Sequence, residues 1–185
     1  MASILTGTTA VAPPPSDRAE EHYEVIDGQR VELPPMSFYA TAIASRLVSR
    51  LNDFAWKQDL GEAFSEGLFR LPLPQQRNRR PDVAFVSYQR WPKGQPIPEE
   101  DHAWDVVPDL AVEVISSTDL AEDLLARIEE YFQAGVQLVW VVYPRRRIVH
   151  VYESLTQIRV RKGNDELDGG NVLPAFRLPL SALFG

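Results

Sequence analysis

Residues 109–115, Asp-Leu-Ala-Val-Glu-Val-Ile, form an almost unbroken apolar run with a single carboxylate, Glu113, in its interior. Such a run is typical of a central strand buried on both faces of a sheet. A chain that buries this strand needs cover on both sides, and the flanking pattern supplies it. Upstream, Ile43, Leu47, Val48, Leu51, Phe54 and Ala55 recur at three- and four-residue spacing, which predicts a helix over 37–57 with Ser37 as its N-cap. Downstream, Leu124, Leu125, Ile128, Tyr131 and Phe132 give the apolar face of a second helix over 119–134. Asp119 is placed to cap it, Glu122 to complement its N-terminal dipole and Gly135 to end it in the left-handed conformation.

The remaining segments read mostly as strands. Two β-prone runs flank Asp27-Gly28 in residues 23–33, predicting a hairpin with a type I′ turn. Residues 61–71 read as one strand, 72–80 as a polar basic loop, and 81–86 as a short strand entered through Pro81. Residues 88–108 are a long connection with an acidic tip at Glu99-Glu100-Asp101, a length associated with functional flaps. Residues 136–142 form another apolar strand, 147–152 its hairpin partner, and 157–161 an edge strand. The chain closes with a short helical cap over 181–184. Together these predict an α/β fold, a central mixed β-sheet flanked by helices with extra N- and C-terminal β-hairpins. Residues 1–18, small and polar with Pro13-Pro14-Pro15, are expected to be a disordered tail ahead of a single domain spanning 19–185.

Composition narrows the chemistry. With no cysteine among 185 residues, disulfide scaffolds, thiolate-ligated metals and thiol catalysis are all excluded. No apolar run reaches the roughly 18 residues of a membrane span, and the first residues lack a secretory n-region, so a cytoplasmic protein is expected. The net charge of −7 is concentrated at the N-terminus: residues 1–36 hold six acids and two bases (−4), leaving 20 acids and 17 bases (−3) for 37–185. A global nucleic-acid footprint is absent. Local basic clusters are present at Arg77, Arg79 and Arg80, at Arg145–Arg147, and at Arg159, Arg161 and Lys162.

Glu113 carries most of the chemical information. A carboxylate within a buried strand is costly unless it is paired or holds a cation. The bland alternative is a salt bridge to an arginine from a neighbouring element. Asp82, directly after Pro81, would lie at a strand end, where an Asp also serves as a turn cap. Converging on neighbouring strands, the two acids would suit Mg²⁺ or Mn²⁺, hard cations that take one or two carboxylates and retain waters. His22, His102 and His150 lack metal-ligand spacing, His150 reads as a solvent-facing strand residue, and Trp104 and Trp140 read as loop and core anchors.

The segments Arg80-Pro-Asp-Val-Ala-Phe-Val86, Pro108-Asp-Leu-Ala-Val-Glu-Val-Ile-Ser116, Glu130-Tyr-Phe-Gln-Ala-Gly-Val136 and Val139-Trp-Val-Val-Tyr-Pro144 resemble the Uma2 family of bacterial endonucleases. The likeness extends over about residues 20–185 and implies the PD-(D/E)XK restriction-endonuclease-like fold. It also implies a metal-dependent endonuclease that hydrolyses DNA phosphodiester bonds, in which Asp82, Glu113 and a backbone carbonyl near Val114 hold Mg²⁺ or Mn²⁺ for in-line attack by water. The basic stretch Arg77, Arg79 and Arg80 would contact phosphates, and a homodimer is implied as well.

Two positions depart from the family pattern. The lysine expected two residues after the acid is Ile115, and the displaced position in the following helix, four residues before Tyr131, is Arg127. Arginine keeps the charge but cannot act as a neutral base. Tyr143 stands where the family commonly has Asp, and Glu32 stands where it often has an acid ahead of the first long helix. The alternative to an active nuclease is therefore a degenerate member, a nucleic-acid-binding or protein-interaction domain in which Arg127 only neutralises Glu113.

Overall fold

The computed structural model describes residues 22–99, 103–116 and 119–185. Residues 1–18, the acids Glu100 and Asp101 of the connection tip, and His102 lie outside them.

The chain folds in the order β1 (Tyr23–Ile26), β2 (Gln29–Glu32), α1 (Phe38–Ala55), β3 (Gly61–Ser65), β4 (Phe69–Leu71), β5 (Arg77–Arg79), β6 (Val83–Ser87) and β7 (Leu110–Val114). It continues with α2 (Ala121–Ala134), β8 (Leu138–Tyr143), β9 (Ile148–Tyr152), β10 (Ile158–Lys162), β11 (Glu166–Gly169), β12 (Leu173–Pro179) and α3 (Leu180–Phe184). A six-stranded mixed sheet in the order β10-β9-β8-β7-β6-β3 forms the centre, β7 and β8 being its parallel pair. A four-stranded sheet, β2-β1-β5-β4, and the β11-β12 hairpin flank it.

β7 lies in the interior of the large sheet, as its apolar run requires, and all five of its residues are buried. Alternation then divides its side chains between two layers. Leu110, Val112 and Val114 join Val83 and Phe85 in a core with Ile43, Leu47 and Leu51 of α1. Ala111 joins Ala84, Val86, Val139 and Val141 in a second core with Ile128 and Tyr131 of α2. Glu113 has the parity of Ala111, so its carboxylate is directed into the α2 layer.

Local signals operate as the sequence predicts at several places. Ser37 caps α1 by accepting the Ala40 N–H at 3.2 Å. Asp27 and Gly28 both have positive φ, 52° and 76°, as a type I′ turn requires. Gly135 takes φ 97° at the end of α2. Asn52 of α1 clamps the edge strand β3, donating to Ala63 O at 3.0 Å and accepting from Ala63 N at 2.7 Å.

Elsewhere the structure corrects the sequence reading. Residues 61–71 are two strands in two different sheets, because Glu66 at φ 51° and Gly67 turn the chain between them. The basic loop contains a strand, β5, which pairs with both β1 and β4. Asp119 does not cap α2; its carboxylate accepts the Ser116 N–H at 2.6 Å, and Leu120 holds the N-cap position without a side-chain bond. Leu125 is exposed, since α2 turns only Ile128 and Tyr131 fully inward. His150 is half-buried rather than solvent-facing, its ring centroid 4.8 Å from that of Tyr143.

The long 88–108 connection is anchored by aromatic packing. Trp104 stacks on Phe69 at 5.8 Å and meets Phe64 and Trp91 edge-on at 5.3 and 5.2 Å. Its backbone bonds Leu68 O and Arg70 N, adding a bridge alongside β4.

Candidate active site

The register of β6 against β7 brings the two acids together. Val83 is opposite Val112 in this antiparallel pair, so one step further along the ladder places Asp82 opposite Glu113. Both have the parity of the α2 layer. Asp82 accepts the Val114 N–H at 2.5 Å and thereby continues the strand pairing with its side chain. The turn-cap alternative for Asp82 is not what the chain adopts.

Glu113 is almost fully buried and has both oxygens engaged. Arg127 Nη1 donates to Oε2 at 2.9 Å and the Tyr131 hydroxyl to Oε1 at 2.6 Å. Arg127 and Tyr131 are one helical turn apart on α2, which lets both reach the same carboxylate. Burial pushes the Glu113 carboxyl up, against the opposing pull of the Arg127 guanidinium and the Tyr131 hydroxyl. The Glu113 charge pushes Arg127 up, and burial pushes the Tyr131 phenol up. Asp82 makes no ion pair among the described residues; desolvation and then the Glu113 charge push it up to about 8, against the pull of the Val114 N–H and of the Arg127 charge.

The surrounding wall comes from the small sheet and α2. Continuing the β1/β5 register beyond Val25–Asn78 sets Glu24 opposite Arg79, and their ion pair closes to 2.6 Å with both side chains buried. Glu24 also accepts the Arg80 N–H at 2.9 Å and lies 3.4 Å from Arg127 Nη2. Glu130, one helical turn from Arg127, takes Arg79 at 2.6 Å and Arg77 at 2.8 Å, and Arg77 reaches Asp27 at 2.8 Å. The three-arginine cluster is therefore mostly structural in its contacts. Arg77 and Arg79 are held by carboxylates, whereas Arg80 bonds the carbonyl oxygens of Tyr23 at 3.2 Å and Glu66 at 2.5 Å.

Glu24 and Tyr131 belong to this cluster and were not singled out by sequence reasoning. Tyr131 reads as part of an apolar helical stripe. Glu24 carries the same signal as Glu113, an acid inside a β-prone run, but its hairpin position favours a solvated reading. Glu32, the acid chosen from that hairpin, is on β2 and exposed. Ile115 follows β7 and is partly buried against the α2 layer, so no amine stands at the third position. Tyr143, at the end of β8, packs against that same layer.

Two carboxylates opposite one another are donors of the kind a hard divalent cation takes while keeping several waters. Among the described residues no group of three or more His, Cys, Asp or Glu gathers as a cation cage. No helix among them is long and apolar enough to cross a membrane.

Comparison with known proteins bears on the family and the fold. No protein of curated function matches the chain. The fold is similar to that of a solved protein described as a putative nuclease belonging to DUF820 from Anabaena variabilis ATCC 29413. The TM-score is 0.77 at 21% identity, covering 91% of this chain and 92% of that one. The family model Uma2, described as "Putative restriction endonuclease", matches residues 11–181, and the chain belongs to that family.

Proposed function

We propose that the protein is a metal-dependent endonuclease that hydrolyses DNA phosphodiester bonds at Asp82 and Glu113. The observation that carries this reading is the placement of two acids on adjacent strands of one sheet, on one face, with Asp82 held at about 8 by burial and by Glu113. A carboxyl raised by burial and by a second carboxylate is a candidate functional group.

Asp82, Glu113 and the Val114 carbonyl would hold Mg²⁺ or Mn²⁺. The cation would supply charge neutralisation of the phosphate and activation of the attacking water. Arg127 provides fixed positive charge for the developing charge on phosphorus oxygens, without serving as a base. Of the three basic residues, Arg80 is the phosphate contact, because carbonyl bonds leave its charge uncancelled. Arg77 and Arg79 hold the wall of the site.

Relaxation of supercoiled plasmid in Mn²⁺ tests this reading. Wild type nicks, and Asp82→Asn and Glu113→Gln lose nicking while remaining folded. Equal nicking by wild type and Asp82→Asn overturns the assignment.

A second reading has its own observation. The Arg127–Glu113 ion pair and Ile115 in place of an amine describe a site in which the buried acid is neutralised from within. On this reading the domain binds nucleic acid or protein without turnover. Arg127→Lys separates the two: it raises metal-dependent nicking in a nuclease and leaves a binding domain inert.

A further inference from the structure

Glu113 has no oxygen without a donor, and one of those donors is a full positive charge. A divalent cation taking Glu113 as ligand competes with the Arg127 guanidinium for the same carboxylate. Removing Arg127 to water is obstructed by its surroundings, since its side chain is only 22% exposed. The fork of Arg127 already points in a second direction. Its Nη2 is 3.4 Å from Glu24 Oε2, a contact looser than the 2.9 Å bond to Glu113.

Glu24 itself is fully buried and fixed from two sides. Oε2 takes Arg79 at 2.6 Å and Oε1 takes the Arg80 N–H at 2.9 Å, so its position is set by the small sheet and not by Arg127. Its charge is shared between two guanidinium groups, Arg79 at 2.6 Å and Arg127 at 3.4 Å. A short tightening of the Nη2 contact transfers Arg127 from one acid to the other without exposing it.

We propose that Glu24 is a positioning residue that receives Arg127 when a divalent cation takes Glu113. Arg127 is then held beside the cation at the distance set by Glu24, its charge directed at phosphate rather than at Glu113. The inference rests on the cation reading of the Asp82–Glu113 pair.

The test is a double-mutant cycle in Mn²⁺ affinity, measured by calorimetry on the full chain. Glu24→Gln weakens Mn²⁺ binding about tenfold, because Arg127 then stays on Glu113. Arg127→Gln tightens it, and in the Arg127→Gln background Glu24→Gln changes affinity by less than about twofold. A merely structural Glu24 would weaken binding equally in both backgrounds, and that result overturns the proposal. Undetectable Mn²⁺ binding by wild type would overturn the cation reading and this inference with it. Binding that Glu24→Gln leaves unaltered would overturn only the inference. Should Glu24→Gln fail to fold, proton exchange of the Arg127 guanidinium in wild type, followed by NMR with Mg²⁺, decides the matter. Arg127 guanidinium resonances that shift on Mg²⁺ saturation while exchange stays slow support transfer to Glu24, whereas resonances unchanged from the metal-free protein, or exchange as fast as that of Arg145 or Arg146, refute it.

Discussion

The two faces of the central sheet are built from the same strands to opposite purposes. On the α1 face, Leu110, Val112 and Val114 meet Ile43, Leu47 and Leu51, and the helix's one buried polar side chain, Asn52, is satisfied by Ala63 at both ends. On the α2 face, the same strand presents Glu113 to Arg127 and Tyr131, and the neighbouring strand presents Asp82 without a cation of its own. The first face gains free energy by removing apolar area from water. The second carries desolvated charge, which replacement by apolar residues of similar volume often improves. Both faces bury an apolar core, but only the α2 face adds desolvated carboxylates to it.

Leu47→Ala probes the first face. Leu47 is fully buried, and its truncation should cost about 4 kcal/mol by urea unfolding. The loss should be the same with and without Mn²⁺. A Mn²⁺-dependent loss would mean the two faces are energetically coupled.

Arg127→Ala probes the second. Leaving Glu113 without its guanidinium should cost about 3 kcal/mol, and Mn²⁺ should restore part of it. A cost near zero would show that the pair is solvated and not a constituent of the site.

The sequence makes the first face more legible than the second, for physical reasons. Apolar periodicity is local, so α1, its Ser37 cap and the β7 run can be read from short windows. Glu113 and Asp82 are legible because a carboxylate next to an apolar run is conspicuous. Glu24 and Tyr131 are not, because their roles depend on partners brought in by β5, β7 and α2, far away in the chain. The break at Glu66–Gly67 was hidden for a related reason: a non-glycine residue at positive φ gives little sequence signal. Arg77 and Arg79 look like a solvated basic patch until β5 is seen pairing with β1, opposite Glu24.

A smaller effect is expected at Tyr131. Tyr131→Phe removes one hydrogen bond to a buried carboxylate and should cost about 2 kcal/mol. Because it leaves the Arg127 charge in place, it should alter Mn²⁺ affinity less than Arg127→Gln does.

The last effect has the opposite sign. The folded Asp82 carboxyl, at about 8, lies above its ordinary value of 3.8, so between those values the folded chain keeps a proton that the unfolded chain has lost. Stability from this group is present below about pH 4, falls as pH rises, and levels off above about 8. Asp82→Asn should therefore gain stability over wild type steadily as pH rises from about 4 to about 8, with the difference vanishing by pH 4. Melting temperatures across that range measure it, and a difference independent of pH would contradict the assignment of burial as the cause.

The central claim is that the α2 face holds its unfavourable charge for the sake of a divalent cation. Anomalous diffraction from a crystal soaked in Mn²⁺ tests it most directly. The account predicts a manganese peak within coordination distance of Asp82 and Glu113, with Arg127 drawn toward Glu24. A peak elsewhere, or Glu113 still paired to Arg127 at saturating Mn²⁺ with no peak beside it, would contradict it.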